Sequence, residues 1–109
     1  MEKIYNKLVR DKIPEIIKSN GEEPVCKILT DEEYKSELEK KLFEEYNEVL
    51  EAVGNNRVEE LADMLEILNA LAILEGATLE QVIEVAEKKA EKRGAFKEKI
   101  YLEKVIERE

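Results

Sequence analysis

The chain has 109 residues, a 43% apolar and 41% charged composition, and a formal net charge of −9. That length suits one domain over residues 1–109 with a modest core, and the acidity leaves no electrostatic footprint for nucleic acid or an anionic membrane. There is no histidine and one cysteine, Cys26, which excludes His-type zinc sites, Ser-His or Cys-His nucleophile systems and an intrachain disulfide.

Taken in chain order, residues 11–19 read as a short helix, with Asp11 able to cap it and Pro14 early enough to be tolerated. Val25 to Leu29 is a short apolar run, more strand-like than helical. Thr30-Asp31-Glu32-Glu33 is a capping box opening a helix to about Val53, which Gly54-Asn55-Asn56 stops. Asn56 can cap the next helix, which runs to about Glu75 before Gly76-Ala77 breaks it. Thr78 and Gln81 form a second capping box, and Gly94 ends the last helix after Arg93. The tail from Phe96 to Ile106 alternates loosely and reads as a possible strand against residues 25–29. The expected fold is therefore all-α: an antiparallel hairpin plus further helices that bundle on dimerisation, with a possible minor two-stranded β element. No apolar stretch is long enough to cross a bilayer, and the opening residues contain no signal-peptide block, so a cytoplasmic location is expected.

Charge is unevenly distributed. Residues 31–66 hold thirteen acids and four bases, whereas residues 1–20 and 85–109 are each about +2. The acids in the middle fall into two signatures around the turn at Gly54: Glu44-Glu45-Tyr46-Asn47-Glu48 and Glu60-Leu61-Ala62-Asp63.

On a wheel of 100° per residue, Leu38, Leu42, Phe43, Tyr46, Val49, Leu50 and Val53 form one apolar arc. Glu45 projects inside this arc and Glu48 at its edge, whereas Glu44 points away. From Val58 to Leu74, twelve of seventeen residues are apolar and surround the helix, the pattern of a buried helix. Glu60 projects between Ile67 and Leu71, and Asp63 between Ala70 and Leu74. A buried carboxylate must neutralise, pair or bind a cation. Glu45 and Asp63 are equidistant from residue 54, as are Glu48 and Glu60, so in an antiparallel hairpin each pair shares a level. The two levels lie about 4.5 Å apart. Four like charges that close need compensation, and oxygen-only ligation suits Mg²⁺, Mn²⁺ or Ca²⁺. The competing reading of the same acids is a solvated face, or a surface meeting the lysines of a dimer partner.

These acids also carry a resemblance. Glu44-Glu45 with Glu48, then Glu60 with Asp63 across a helical hairpin, resembles the signature of the all-α nucleoside triphosphate pyrophosphohydrolases, the MazG-like and phosphoribosyl-ATP pyrophosphohydrolase-like superfamily. The segments from Tyr5 to Pro14 and from Lys92 to Phe96 resemble a small house-cleaning branch of it. The resemblance implies Glu45, Glu48, Glu60 and Asp63 as catalytic metal ligands for Mg²⁺, with Mn²⁺ possible. It implies water attack that cleaves a nucleoside triphosphate, non-canonical or in excess, to monophosphate and pyrophosphate. It also implies a homodimer or homotetramer. An all-round apolar helix with few neighbours independently calls for at least a dimer.

Candidate phosphate contacts are Lys7 and Arg10, which share a face if residues 5–11 are helical, together with Lys12, Lys89, Lys92 and Arg93; the alternative for each is a solvated or dipole-complementing base. Asn47 and Asn69 are candidate contacts to a base or ribose, or plain hydrogen-bonding residues. The chain contains no Gly-rich phosphate loop. Two other functions fit parts of the pattern: phosphoribosyl-ATP hydrolysis in histidine biosynthesis, against which the Asn6–Asp11 segment argues, and a non-enzymatic helical interaction module.

Overall fold

The computed structural model describes residues 1–108, and among them the secondary structure is entirely α-helical. Four helices follow in order: α1 (Ile13–Ser19), α2 (Asp31–Glu51), α3 (Asn55–Leu74) and α4 (Leu79–Arg93).

Local chemistry accounts for most of the boundaries. The Thr30 hydroxyl accepts from the Glu33 amide while the Glu33 carboxylate accepts from the Thr30 amide, which closes the capping box of α2. Thr78 and Gln81 do the same for α4. α4 ends at Gly94, where Lys92 and Arg93 in the last turn complement the helix dipole.

Three boundaries differ from expectation. α1 starts after Lys12 rather than Asp11, without a side-chain cap, because Pro14 in the first turn already lacks one of the donors a cap would satisfy. α2 stops at Glu51, two residues short of Val53. Ala52 takes an extended conformation, and Gly54 turns the chain at φ 58°. Gly54, not Asn56, occupies the capping position of α3. The Arg57 guanidinium closes this corner from the other side, its Nε donating to the Val49 carbonyl at 3.0 Å. That bond satisfies one of the carbonyls left over at the end of α2.

The β element is not present. Residues 25–29 and the tail to Arg108 are neither helical nor paired, and no backbone hydrogen bond joins them. A lone two-stranded ribbon is marginal in water, and apart from the half-buried Leu29 the apolar side chains of both segments lie open to solvent. Val25 and Ile28 are 95% and 98% exposed, and Phe96 is 97% exposed.

Packing is concentrated between α2 and α3, with α4 resting more lightly on α3. The radius of gyration is 19.3 Å, against about 13 Å for a compact domain of this length. Only Leu38 of α2 and Ala72 of α3 are buried hydrophobic residues among those described. The all-round apolar α3 is thus covered on one side alone: Leu61, Leu65 and Leu68, one stripe at helical spacing, stay 39–48% exposed. No described helix is long and apolar enough to cross a membrane.

Candidate metal centre

The hairpin turn brings the second acidic signature alongside the first. Glu45 is on α2, Glu60 and Asp63 on α3, and each offers a carboxylate oxygen within 4.8 Å of the other two. Trans oxygens on a Mg²⁺ ion at about 2.1 Å span about 4.2 Å, and those on Ca²⁺ about 5 Å. The 4.8 Å bound falls within the Ca²⁺ span and slightly exceeds that of Mg²⁺, a gap that side-chain adjustment can close.

Two carboxylate oxygens of these residues, Glu45 Oε2 and Glu60 Oε2, are shielded from solvent and have no hydrogen-bond partner. Orphaned buried oxygens are costly. The electrostatics record this: Glu45 is pushed up to about 7, first by desolvation and then by the Glu48, Asp63 and Glu60 carboxylates. The Glu60 carboxyl is also raised, chiefly by a hydrogen bond with Glu48, with desolvation and like-charge repulsion adding to it. The causes are burial and the crowding of carboxylates where the chain supplies too little positive charge.

Among the described residues, one cationic side chain pairs with the cluster. Arg10 Nη2 donates to Asp63 Oδ1 at 2.8 Å. The other lysine pairs are local or lie elsewhere: Lys40 with Glu37, Lys41 with Glu44, Lys88 with Glu84 and Lys27 with Glu33. Glu44 therefore faces outward to Lys41, as its wheel position requires. Glu48 is exposed and lies outside the triad, yet it is close enough to perturb both Glu45 and Glu60.

The candidate phosphate contacts separate. Residues 5–11 are not helical, so the shared face for Lys7 and Arg10 does not form; Asn6 adopts a left-handed φ of 45°, which bends the segment. Lys7 lies 5.8 Å from the centre of the Tyr5 ring. Lys12 precedes α1 and is exposed. Lys89, Lys92 and Arg93 are exposed in the last turns of α4 and form no ion pair with the acids. Asn47 Nδ2 donates to the Phe43 carbonyl, a plain helical bond. What sequence reasoning missed was the specific partner of Arg10, since an ion pair across 53 residues leaves no spacing signal.

Two shallow depressions mark the surface. One is lined by Ser36, Glu39, Lys40, Phe43 and Glu44 of α2. The other is apolar, on α3 around Leu61, Met64, Leu65 and Leu68. Neither contains the acidic triad.

Among known proteins, the chain is similar to an uncharacterized protein of Mycolicibacterium smegmatis, with 50% identity over 42 residues. That match covers 38% of this chain and 43% of the relative's length. No family model and no solved structure matches the chain.

Proposed function

We propose that the chain is a Mg²⁺-dependent nucleotide pyrophosphohydrolase that cleaves nucleoside triphosphates to the monophosphate and pyrophosphate. The observation that carries this reading is the convergence of Glu45, Glu60 and Asp63 with two shielded, unpartnered carboxylate oxygens. Four acids with one arginine among them are short of positive charge. A divalent cation supplies the deficit better than the scattered lysines do. This favours a metal site over an acidic docking face.

Glu45, Glu60 and Asp63 are the residues to hold Mg²⁺, or Mn²⁺ in its place. The ion's contribution when bound is Lewis-acid stabilisation of charge on the transferring phosphoryl group and a lower pKa for water. Glu48, beside the triad but outside it, is on this reading the group that accepts the proton of the attacking water. Attack at the α-phosphorus forms the new P–O bond and breaks the α–β linkage, so pyrophosphate departs with the bridging oxygen. The resemblance of the two acidic signatures to the MazG-like superfamily supports this choice among Mg²⁺ chemistries.

The active unit on this reading is a homodimer or homotetramer. A single chain leaves most of its large apolar side chains exposed, so on this reading a second chain covers them and walls the nucleotide pocket. Purified protein with Mg²⁺ should release pyrophosphate from at least one nucleoside triphosphate in a panel of canonical and damaged nucleotides. Glu45→Gln and Asp63→Asn should each reduce release by about 100-fold or more. Undiminished turnover in both variants would overturn the site assignment.

A further inference from the structure

Residues 1–12 precede the first helix and contain no regular structure. Among the described residues, the hydrogen bond that joins this arm to the α2–α3 hairpin is Arg10 Nη2 to Asp63 Oδ1 at 2.8 Å. Asp63 is also one of the three residues whose oxygens converge. One carboxylate thus serves both the arm and the candidate cation site.

We propose that Arg10 is an exchangeable counter-cation: it holds Asp63 until a divalent cation takes that carboxylate, then turns to a substrate phosphate. The proposal rests on the metal-site reading above.

Three observations carry it. The pair is open to water, with side-chain exposures of 60% for Arg10 and 43% for Asp63; such ion pairs are weak and easily exchanged. A divalent ion brings twice the charge to the same oxygens and also reaches the shielded oxygens of Glu45 and Glu60, which Arg10 does not contact. Finally, the arm has a second hold: Leu8 is half-buried, as are Ile13 and Pro14 at the start of α1. Release of the guanidinium therefore leaves Arg10 at the edge of the site. A planar fork of donors freed there suits a bidentate phosphate contact.

The exchange gives the site an order of events. With Arg10 on Asp63, the arm is pinned and the guanidinium is already satisfied. Cation entry unpins it, so the phosphate-binding group becomes available only after the site is charged for catalysis.

The test is titration calorimetry with Mn²⁺ alone, plus backbone ¹⁵N order parameters of residues 5–12 with Mg²⁺ as the diamagnetic ion. Removing a competitor strengthens binding, so Arg10→Ala should bind Mn²⁺ about five- to tenfold more tightly than wild type. Arg10→Lys, which keeps the charge, should stay within about threefold of wild type. In wild type, Mg²⁺ should lower the order parameters of residues 5–12, and inorganic pyrophosphate added with Mg²⁺ in excess should raise them again. In Arg10→Ala the same residues should have low order parameters with or without Mg²⁺. Weaker Mn²⁺ binding by Arg10→Ala would show an arginine that orients Asp63 for the metal, and would overturn the exchange. Metal binding in wild type with unchanged arm order parameters would also overturn it, leaving the metal site intact. If pyrophosphate leaves the freed arm as mobile as before, the phosphate step is overturned. Absence of Mn²⁺ binding in every variant removes the metal site itself, and the exchange with it.

Discussion

Neutralising Glu45 should stabilise the metal-free protein and abolish its response to metal. In the fold, the Glu45 carboxyl is held at about 7 against an ordinary 4.5. Between those two values the folded chain binds more protons than the unfolded chain. Stability therefore falls as pH rises from about 4.5 to about 7 and is flat above. Glu60, also raised, adds a slope of the same sign. The full shift at Glu45 corresponds to about 3 kcal/mol. Glu45 as a whole is only half-buried, so water screens part of it and about 1–2 kcal/mol is the reasonable expectation. For a chain of this size that is about 4–12 °C in Tm. Helical melts followed by circular dichroism, at fixed protein concentration in EDTA, should show wild type losing Tm from pH 5 to 7.5. Glu45→Gln should lose less and melt higher at pH 7.5. With Mn²⁺ the order reverses: binding requires ionised carboxylates, so the metal-induced gain in wild type grows with pH, while Glu45→Gln gains little. A wild-type Tm that is flat across this range, or a Glu45→Gln variant that melts lower than wild type in EDTA at pH 7.5, would refute the reasoning.

Two further outcomes test the fold around the site. Arg57→Ala removes the bond to the Val49 carbonyl that finishes α2, and should cost about 1 kcal/mol, or about 4–6 °C by the same melts; an unchanged Tm would show that water satisfies that carbonyl equally well. Leu65 lies mid-stripe on the exposed side of α3 at 46% exposure, so Leu65→Glu should convert a sedimenting dimer or tetramer to a smaller species, whereas a monomeric wild type would refute the need for a partner.

The helices were legible because their signals are local. Thr30 with Glu33, and Thr78 with Gln81, are complete capping instructions within four residues, and the structure forms both. The convergence of Glu45 with Asp63 was legible for a different reason: a hairpin folded about Gly54 leaves only one register, so equal distance from the turn becomes equal height. The strand expectation failed because alternation over residues 96–106 specifies an extended chain but not a neighbour. The Asn56 cap failed because Gly54, with its positive φ, turns the chain and starts α3 at Asn55, one residue before that asparagine. The shared face of Lys7 and Arg10 presupposes a helix over residues 5–11 that does not form, and the ion pair of Arg10 with Asp63, 53 residues away, is one that no periodicity encodes.

The shielded acids and the thin core both lower the stability of the isolated chain. A chain whose buried hydrophobic residues are Leu38 and Ala72 has little stability in reserve. Placing Glu45 and Glu60 with shielded oxygens against the hairpin core spends some of that reserve. Packing alone gives no reason for this choice, since a leucine at position 45 would complete the apolar arc of α2. Both costs fall when something binds the folded form alone: a cation lowers the repulsion among the carboxylates, and a second chain covers the stripe on α3. On this view metal binding and assembly are parts of folding as well as of function. The same carboxylates that weaken the isolated chain would then make its folded state responsive to any divalent cation they bind.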